Sequence, residues 1–132
     1  MATRSDIRTA IISLLPASAF TSTFDYCPSQ LFVDELPAVA AYFTSGDSEY
    51  DFSQDAETDA LLIVEITLRD AGNIDAALDA KAKVVGEELR ANPTLDGLVG
   101  GLKRTNFNYD RDDESSIGIL QLTYSVNYDD ED

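Results

Sequence analysis

The sequence predicts an α+β fold: an antiparallel-rich mixed sheet in one domain, with two main helices packed on it. Three patterns predict it. Apolar residues recur at helical spacing in two windows, 7–15 and 74–90. They alternate with polar residues in windows 38–44, 60–69, 102–109 and 117–128, as half-buried strands require. The last two of these windows are joined by a short acidic turn rather than a helix, which is hairpin connectivity. With 132 residues, 44% of them apolar, the chain can bury one real core. That domain is expected over residues 1–128, with 129–132 as an acidic frayed tail.

The first helix places Ile7, Ala10, Ile11, Leu14 and Leu15 on one side and Arg8, Thr9 and Ser13 elsewhere. Thr3 followed by Asp6 resembles a capping box, with Asp in place of the preferred Glu. The same stretch imitates a secretion signal, because Arg4 and Arg8 precede Ala10-Ile11-Ile12-Ser13-Leu14-Leu15 and Ala17-Ser18-Ala19 follows. Yet that run is short and Asp6 breaks the positive lead, so the amphipathic helix is the preferred reading. Pro16 ends it, since the residue before proline avoids helical geometry. Short extended pieces are expected at 22–26 and 30–34. In 38–44, Val39, Ala41 and Phe43 share one face and Tyr42 takes the other. Asp47, Glu49, Asp51, Asp55, Glu57 and Asp59, with no base among them, predict a mobile loop over 46–59.

Residues 60–69 form the clearest strand, with Leu62, Val64, Ile66 and Leu68 on one face and Glu65, Thr67 and Arg69 on the other. The second helix is capped by Asn73 and stopped by Asn92-Pro93. Its buried stripe is Ile74, Leu78, Ala82, Val85 and Leu89; its outer face carries Asp75, Asp79, Lys83 and Glu87, with Asp79–Lys83 a favourable i,i+4 pair. After a short turn or helix at Leu95–Leu98, the closing hairpin of 102–109 and 117–128 puts Leu120, Leu122, Tyr124, Val126 and Tyr128 on one face of its second strand. No segment approaches a membrane span.

Charge narrows the function. Twenty-five acids stand against nine bases, a net −16, with no histidine. Such a chain repels phosphate and lacks a basic nucleic-acid face. It also lacks the usual general base and the commonest transition-metal ligand. The single cysteine, Cys27, has no disulfide partner and no activating neighbour in sequence, and reads as a half-buried structural residue. The Asp110-Arg111-Asp112-Asp113-Glu114 cluster fails as a calcium loop: counting from Asp110, Ser115 stands where glycine is required and Gln121 where a bidentate Glu is required. It reads as a solvated hairpin turn, open at most to adventitious Mg²⁺ or Ca²⁺. Gly97-Leu98-Val99-Gly100-Gly101 lacks the Lys-Ser/Thr of a phosphate loop and reads as a turn leading into a strand. A two-carboxylate hydrolase finds no pair of acids that stands out among so many.

A family resemblance covers nearly the whole chain. Leu36-Pro37-Ala38-Val39-Ala40-Ala41-Tyr42 within 32–44, the strand 62–68, Leu78-Asp79-Ala80, Phe107-Asn108-Tyr109-Asp110-Arg111-Asp112-Asp113 and Leu122-Thr123-Tyr124-Ser125-Val126-Asn127-Tyr128 occur in the order and spacing of the tail-terminator family of long-tailed bacteriophages, the minor tail protein U of lambda-like phages. Ile7-Arg8-Thr9-Ala10 sits where that family has its first helix. The chain departs from the family in its longer acidic end and in the 46–59 segment.

The resemblance implies a non-enzymatic virion protein at the head-proximal end of the tail. Such proteins form a homohexameric ring that caps the finished tail tube, stops its polymerisation and faces the head connector. It implies no cofactor, beyond non-specific help from Mg²⁺ in assembly, no membrane, and no sequence-specific nucleic-acid binding. The acidity then either keeps DNA from sticking in the ring or simply solvates the surface. The alternatives are another head–tail joining protein of the same virion, or an acidic DNA-mimic decoy for a basic protein. Candidate contact residues are Asp75 and Asp79, on the outer face of the second helix, and Arg111 with its neighbour Asp112. Arg111 suits a bidentate carboxylate contact, within its own loop or across a subunit boundary. Cys27→Ser is expected to leave folding and assembly near wild type; a folded variant that no longer completes tails contradicts this.

Overall fold

The computed structural model describes residues 2–50, 56–70, 72–112 and 114–130. In chain order these form α1 (Arg4–Leu14), β1 (Ser22–Phe24), a single 3-10 turn (Val33–Glu35), β2 (Ala38–Tyr50), β3 (Ala56–Arg69), α2 (Ile74–Ala91), β4 (Gly101–Asp112) and β5 (Ile117–Asp130). The five strands make one sheet in the order β1-β2-β3-β5-β4, with β1 parallel to β2 and every other pair antiparallel.

Both helices start as the sequence predicts. The Thr3 hydroxyl accepts from the Asp6 N–H and the Asp6 carboxylate accepts from the Thr3 N–H, closing the capping box. Asn73 Oδ1 accepts from the Ala76 N–H to cap α2. Ile7 and Ile11 of α1 and Leu78, Val85 and Leu89 of α2 are buried against one face of the sheet. That face presents Val39 and Ala41 from β2, Leu62, Val64, Ile66 and Leu68 from β3, and Leu120, Leu122, Tyr124, Val126 and Tyr128 from β5, in matching register. No helix among the described residues is long and apolar enough to cross a membrane.

Four expectations are corrected. The acidic stretch 46–59 is not a loop at its two ends: residues 46–50 extend β2 and 56–59 extend β3, leaving 51–55 outside the described residues. Composition misleads there because the alternate positions carry the burial. Thr58 is buried and shares a 2.8 Å hydroxyl hydrogen bond with Ser48, while the rings of Phe43 and Tyr128 pack 6.0 Å apart beside them. Residues 129 and 130 are not frayed, because the Ala2 N–H donates to the Asp129 carbonyl and Tyr128 Oη donates to Asp130; residues 131–132 lie outside the described set. The 30–34 piece is not extended but ends in the 3-10 turn, where Glu35 accepts from the Phe32 N–H. Cys27 is exposed rather than half-buried, because Arg8 Nε grips the Asp25 carbonyl at 2.6 Å and the following bend turns the thiol outward.

Each outer region of the sheet carries one β-bulge. Thr44 is the extra residue in β2 and Thr105 in β4, and both flank the level of the Leu62–Tyr124 pair. Each Thr hydroxyl bonds a neighbouring strand's carbonyl, Leu61 at 3.3 Å and Thr123 at 3.4 Å.

The helix–sheet contact is closest at Gly118 of β5. A Cβ there would lie 2.5 Å from Ile74 Cγ1 and 3.0 Å from Leu78 Cδ1, so α2 sits against bare backbone. Gly118→Ala is therefore expected to overpack the core and lower stability by about 1–3 kcal/mol, read from urea unfolding. An unchanged midpoint and slope contradict this close approach.

Candidate functional site

The residues of β4 that face α2 are Leu102, Arg104, Phe107, Tyr109 and Arg111, opposite Val126, Tyr124, Leu122, Leu120 and Gly118 of β5. This row borders α2, which itself packs on β3 and β5, and reaches it through side chains at one end. The two ends of that seam have opposite electrostatics.

At the N-terminal end of α2 the seam is closed by opposite charges. Arg111 donates from Nε to Asp75 Oδ1 at 2.6 Å and from Nη2 to Asp75 Oδ2 at 3.0 Å, a bidentate contact. Its guanidinium lies 4.7 Å from the centroid of the Tyr109 ring. The Tyr109 hydroxyl in turn donates to Asp79. Arg111's hydrogen bonds hold the Asp75 carboxyl below the usual carboxylate range, against a small opposing effect of burial. The hydrogen bond to Asp79 raises the Tyr109 phenol, with burial and the nearby carboxylates adding to it. Asp75 also sits in the first turn of α2, where the helix dipole favours an anion.

Three of the four sequence-chosen contact residues therefore come together, but inside one chain. Asp75 and Asp79 do not stand free on the outer face of α2, and Asp79 takes the Tyr109 hydroxyl. Arg111 reaches a helix thirty-six residues back in sequence. Asp112 lies apart from them, accepting the Glu114 N–H at 3.1 Å and so shaping the β4–β5 turn. Tyr109 was missed by the sequence reading; its position two residues before Arg111, on the same strand face, is the signal that could have found it.

At the C-terminal end of α2 the seam stays open. A groove of about 340 Å³ lies between α2 and β4, lined by Gly86, Arg90, Pro93, Lys103, Arg104 and Tyr124 among others. Arg90 and Arg104 bring their charges to it, while Lys103 borders it from the strand position that alternates to the other sheet face. Lys103-Arg104 is the one place where two bases adjoin in the sequence, a signal the charge total hides.

The sheet face turned away from the helices is polar. Tyr42 Oη and Gln121 Nε2 each donate to Glu65 Oε1 at 2.9 Å. Burial, followed by the Glu65 charge, raises the Tyr42 phenol strongly. Farther along that face Asp47 stands opposite Asp59 and Glu49 opposite Glu57, with Asn127 Nδ2 donating to Asp59 at 2.8 Å and to Glu57 at 3.5 Å. Among the described residues no group of three or more His, Cys, Asp or Glu converges as a metal site would require.

What this arrangement offers is a small sheet with a bidentate ion pair at one end of its helix-side seam and a basic groove at the other, and no convergent metal or catalytic cluster among the described residues. The chain belongs to the phage minor tail protein U family, whose model it matches over residues 2–128. It is similar to the tail tube terminator protein of Escherichia phage N15, with 35% identity over 130 residues, covering 94% of this chain and 96% of that protein. Its fold is also that of a chain in the virion of a native gene transfer agent particle, with a TM-score of 0.58 at 17% identity, covering 93% of this chain and 94% of the other.

The Asp75 contact has a pH signature. Its carboxyl titrates lower in the folded chain than in the unfolded one, so the unfolded state takes up the proton first as pH falls. The contact thus adds stability above the usual carboxylate pKa of about 4 and loses it as pH drops through the lower folded value. Arg111→Gln is expected to be slightly less stable than wild type at pH 7 and equal to it at pH 2, by urea unfolding. The same gap at both pH values contradicts the pairing.

Proposed function

We propose that this chain is a tail-tube terminator: a non-enzymatic structural protein that closes into a hexameric ring on the finished phage tail tube. The ring stops tube growth and offers its other face to the head connector, at the head-proximal end of the virion tail. The observation that carries this reading is the similarity to the phage N15 tail tube terminator protein, because it runs almost end to end in both chains. A terminator needs no catalytic pocket. It needs a rigid subunit with two different sides and margins that meet their own copies in head-to-tail order, since such contacts close into rings when the rotation fits.

The four sequence-chosen residues take a positioning role in this reading. The Arg111–Asp75 and Tyr109–Asp79 contacts hold the β4–β5 end against α2, and Asp112 in the adjoining turn is presented to the next component of the virion. The acid excess supports either of two uses, a ring interior that does not hold phosphate or a well-solvated outer surface.

Assembly has to overcome the mutual repulsion of chains that each carry −16. Repulsion between exposed charges reaches about 10 Å at 0.1 M salt and farther in dilute buffer. The expected behaviour is a monomer at low ionic strength that shifts to six-fold rings as salt or Mg²⁺ is added at high protein concentration. Size exclusion with light scattering, followed by negative-stain imaging of the heaviest peak, reads this. A monomer or dimer under every condition, including added tail-tube protein, removes the terminator reading and favours the acidic decoy.

A further inference from the structure

The open end of the α2–β4 seam is a basic site in an acidic protein, and none of the described residues fills it. Arg90, Lys103 and Arg104 line the groove, and among the described residues none of the three has a carboxylate partner. At the other end of the same seam Arg111 meets Asp75 and closes it. At this end Arg90 faces Arg104, and like charges cannot draw helix and strand together. Beneath them Tyr124 is only 4% exposed, yet its hydroxyl makes no hydrogen bond to any described residue while its ring lines the groove. Arg104 and Arg90 lie close enough to pull its phenol pKa down against the larger upward effect of burial. Two guanidiniums across this opening, with no carboxylate partner among the described residues, select an anionic group with oxygen acceptors.

The chain also carries the complementary surface. On the outer half of the β2–β3 hairpin, Asp47 and Glu49 lie directly across from Asp59 and Glu57, an arrangement of like charges that destabilises a strand pair. Asn127 serves Asp59 and Glu57, whereas Asp47 and Glu49, both exposed, have no partner among the described residues. The register places both surfaces at one end of the sheet: Gly101, where β4 begins beside the groove, aligns through Asn127 and Asp59 with Asp47. One lies by the β4 margin and the other on the β2 side. Each copy thus has a basic socket on one flank and a carboxylate plate at the same level on the other.

We infer that the groove between Arg90 and Arg104 over Tyr124 receives Asp47 and Glu49 from the β2–β3 hairpin of a second copy of this chain, as a head-to-tail contact. The inference rests on the proposed ring, for which it names the joint. Charge reversal with exchange tests it. Arg90→Glu/Arg104→Glu makes a socket-reversed chain and Asp47→Lys/Glu49→Lys a plate-reversed chain, both on the surface, and circular dichroism and urea unfolding check that each still folds. Under conditions where wild type forms rings, each reversed chain alone is expected to stay monomeric, because socket and plate then repel. Mixed at equal amounts they are expected to form rings again, because alternating copies restore an acid–base pair at every joint. Inorganic phosphate added to wild type is expected to compete weakly with assembly at matched ionic strength.

Rings formed by either reversed chain alone overturn the joint and leave the ring intact. So does failure of the folded variants to assemble on mixing. A wild-type chain that never assembles overturns the ring itself, and the joint with it.

Discussion

The pairing of β3 with β5 is the constraint on which the rest of the molecule depends. The two strands are matched along their whole length, from Ala56 with Asp130 to Arg69 with Ile117. Side chains of a strand alternate strictly, so this single register fixes which residues enter the core. It aligns Leu62, Val64 and Ile66 with Tyr124, Leu122 and Leu120, and α1 and α2 can then bury their apolar stripes only on that side. A slip of one residue would turn Glu65 and Gln121 inward and the leucines outward. The closeness of Ile74 and Leu78 to Gly118 sets how deep α2 sits, and so where its flank meets β4.

From that frame the charges take their places. With 25 acids and nine bases, most carboxylates cannot have a cationic partner, and the chain uses its bases sparingly. One guanidinium, Arg111, is committed to two oxygens of one carboxylate, and Lys81 and Arg8 are spent on backbone carbonyls. Some acids without bases are held by amide and hydroxyl donors instead, as Glu65 is by Gln121 and Tyr42, and Asp59 by Asn127. Neutral donors orient a carboxylate without cancelling its charge. The surface therefore stays negative while its geometry is well defined, which suits contacts that depend on charge and alignment together.

Much of the architecture was legible in the chain because it rests on periodicity and caps. Leu62 to Leu68, the stripe of α2, the capping box at Thr3 and the alternation of the last strand are local signals that tertiary structure did not overrule. The hairpin margins were not legible. A run such as Gly46-Asp47-Ser48-Glu49 has the composition of a loop, and only its pairing partner reveals that Ser48 lies across from the buried Thr58 and bonds it. The site was hidden for a related reason. That Asp75 and Arg111 meet depends on how α2 lies across the sheet, and no spacing rule carries that information across thirty-six residues. The convergence of Arg90 with Arg104 likewise crosses the turn after α2. There Leu95 and Asp96 as well as Gly97 adopt left-handed backbone, which returns the chain beside its own helix.

The paired bulges at Thr44 and Thr105 bear on a different hazard. Long strands near the margin of a sheet are templates on which foreign strands can zip, and crowding many identical copies into one assembly multiplies that danger. A bulge twists a strand and interrupts its run of regular donors and acceptors. Here both interruptions fall at one level, beside the Leu62–Tyr124 pair, so neither flank offers an uninterrupted ladder along its full length. A chain shaped this way can be concentrated without its sheets fusing into amyloid-like fibres. Contacts at either margin are then left to side chains rather than to backbone pairing.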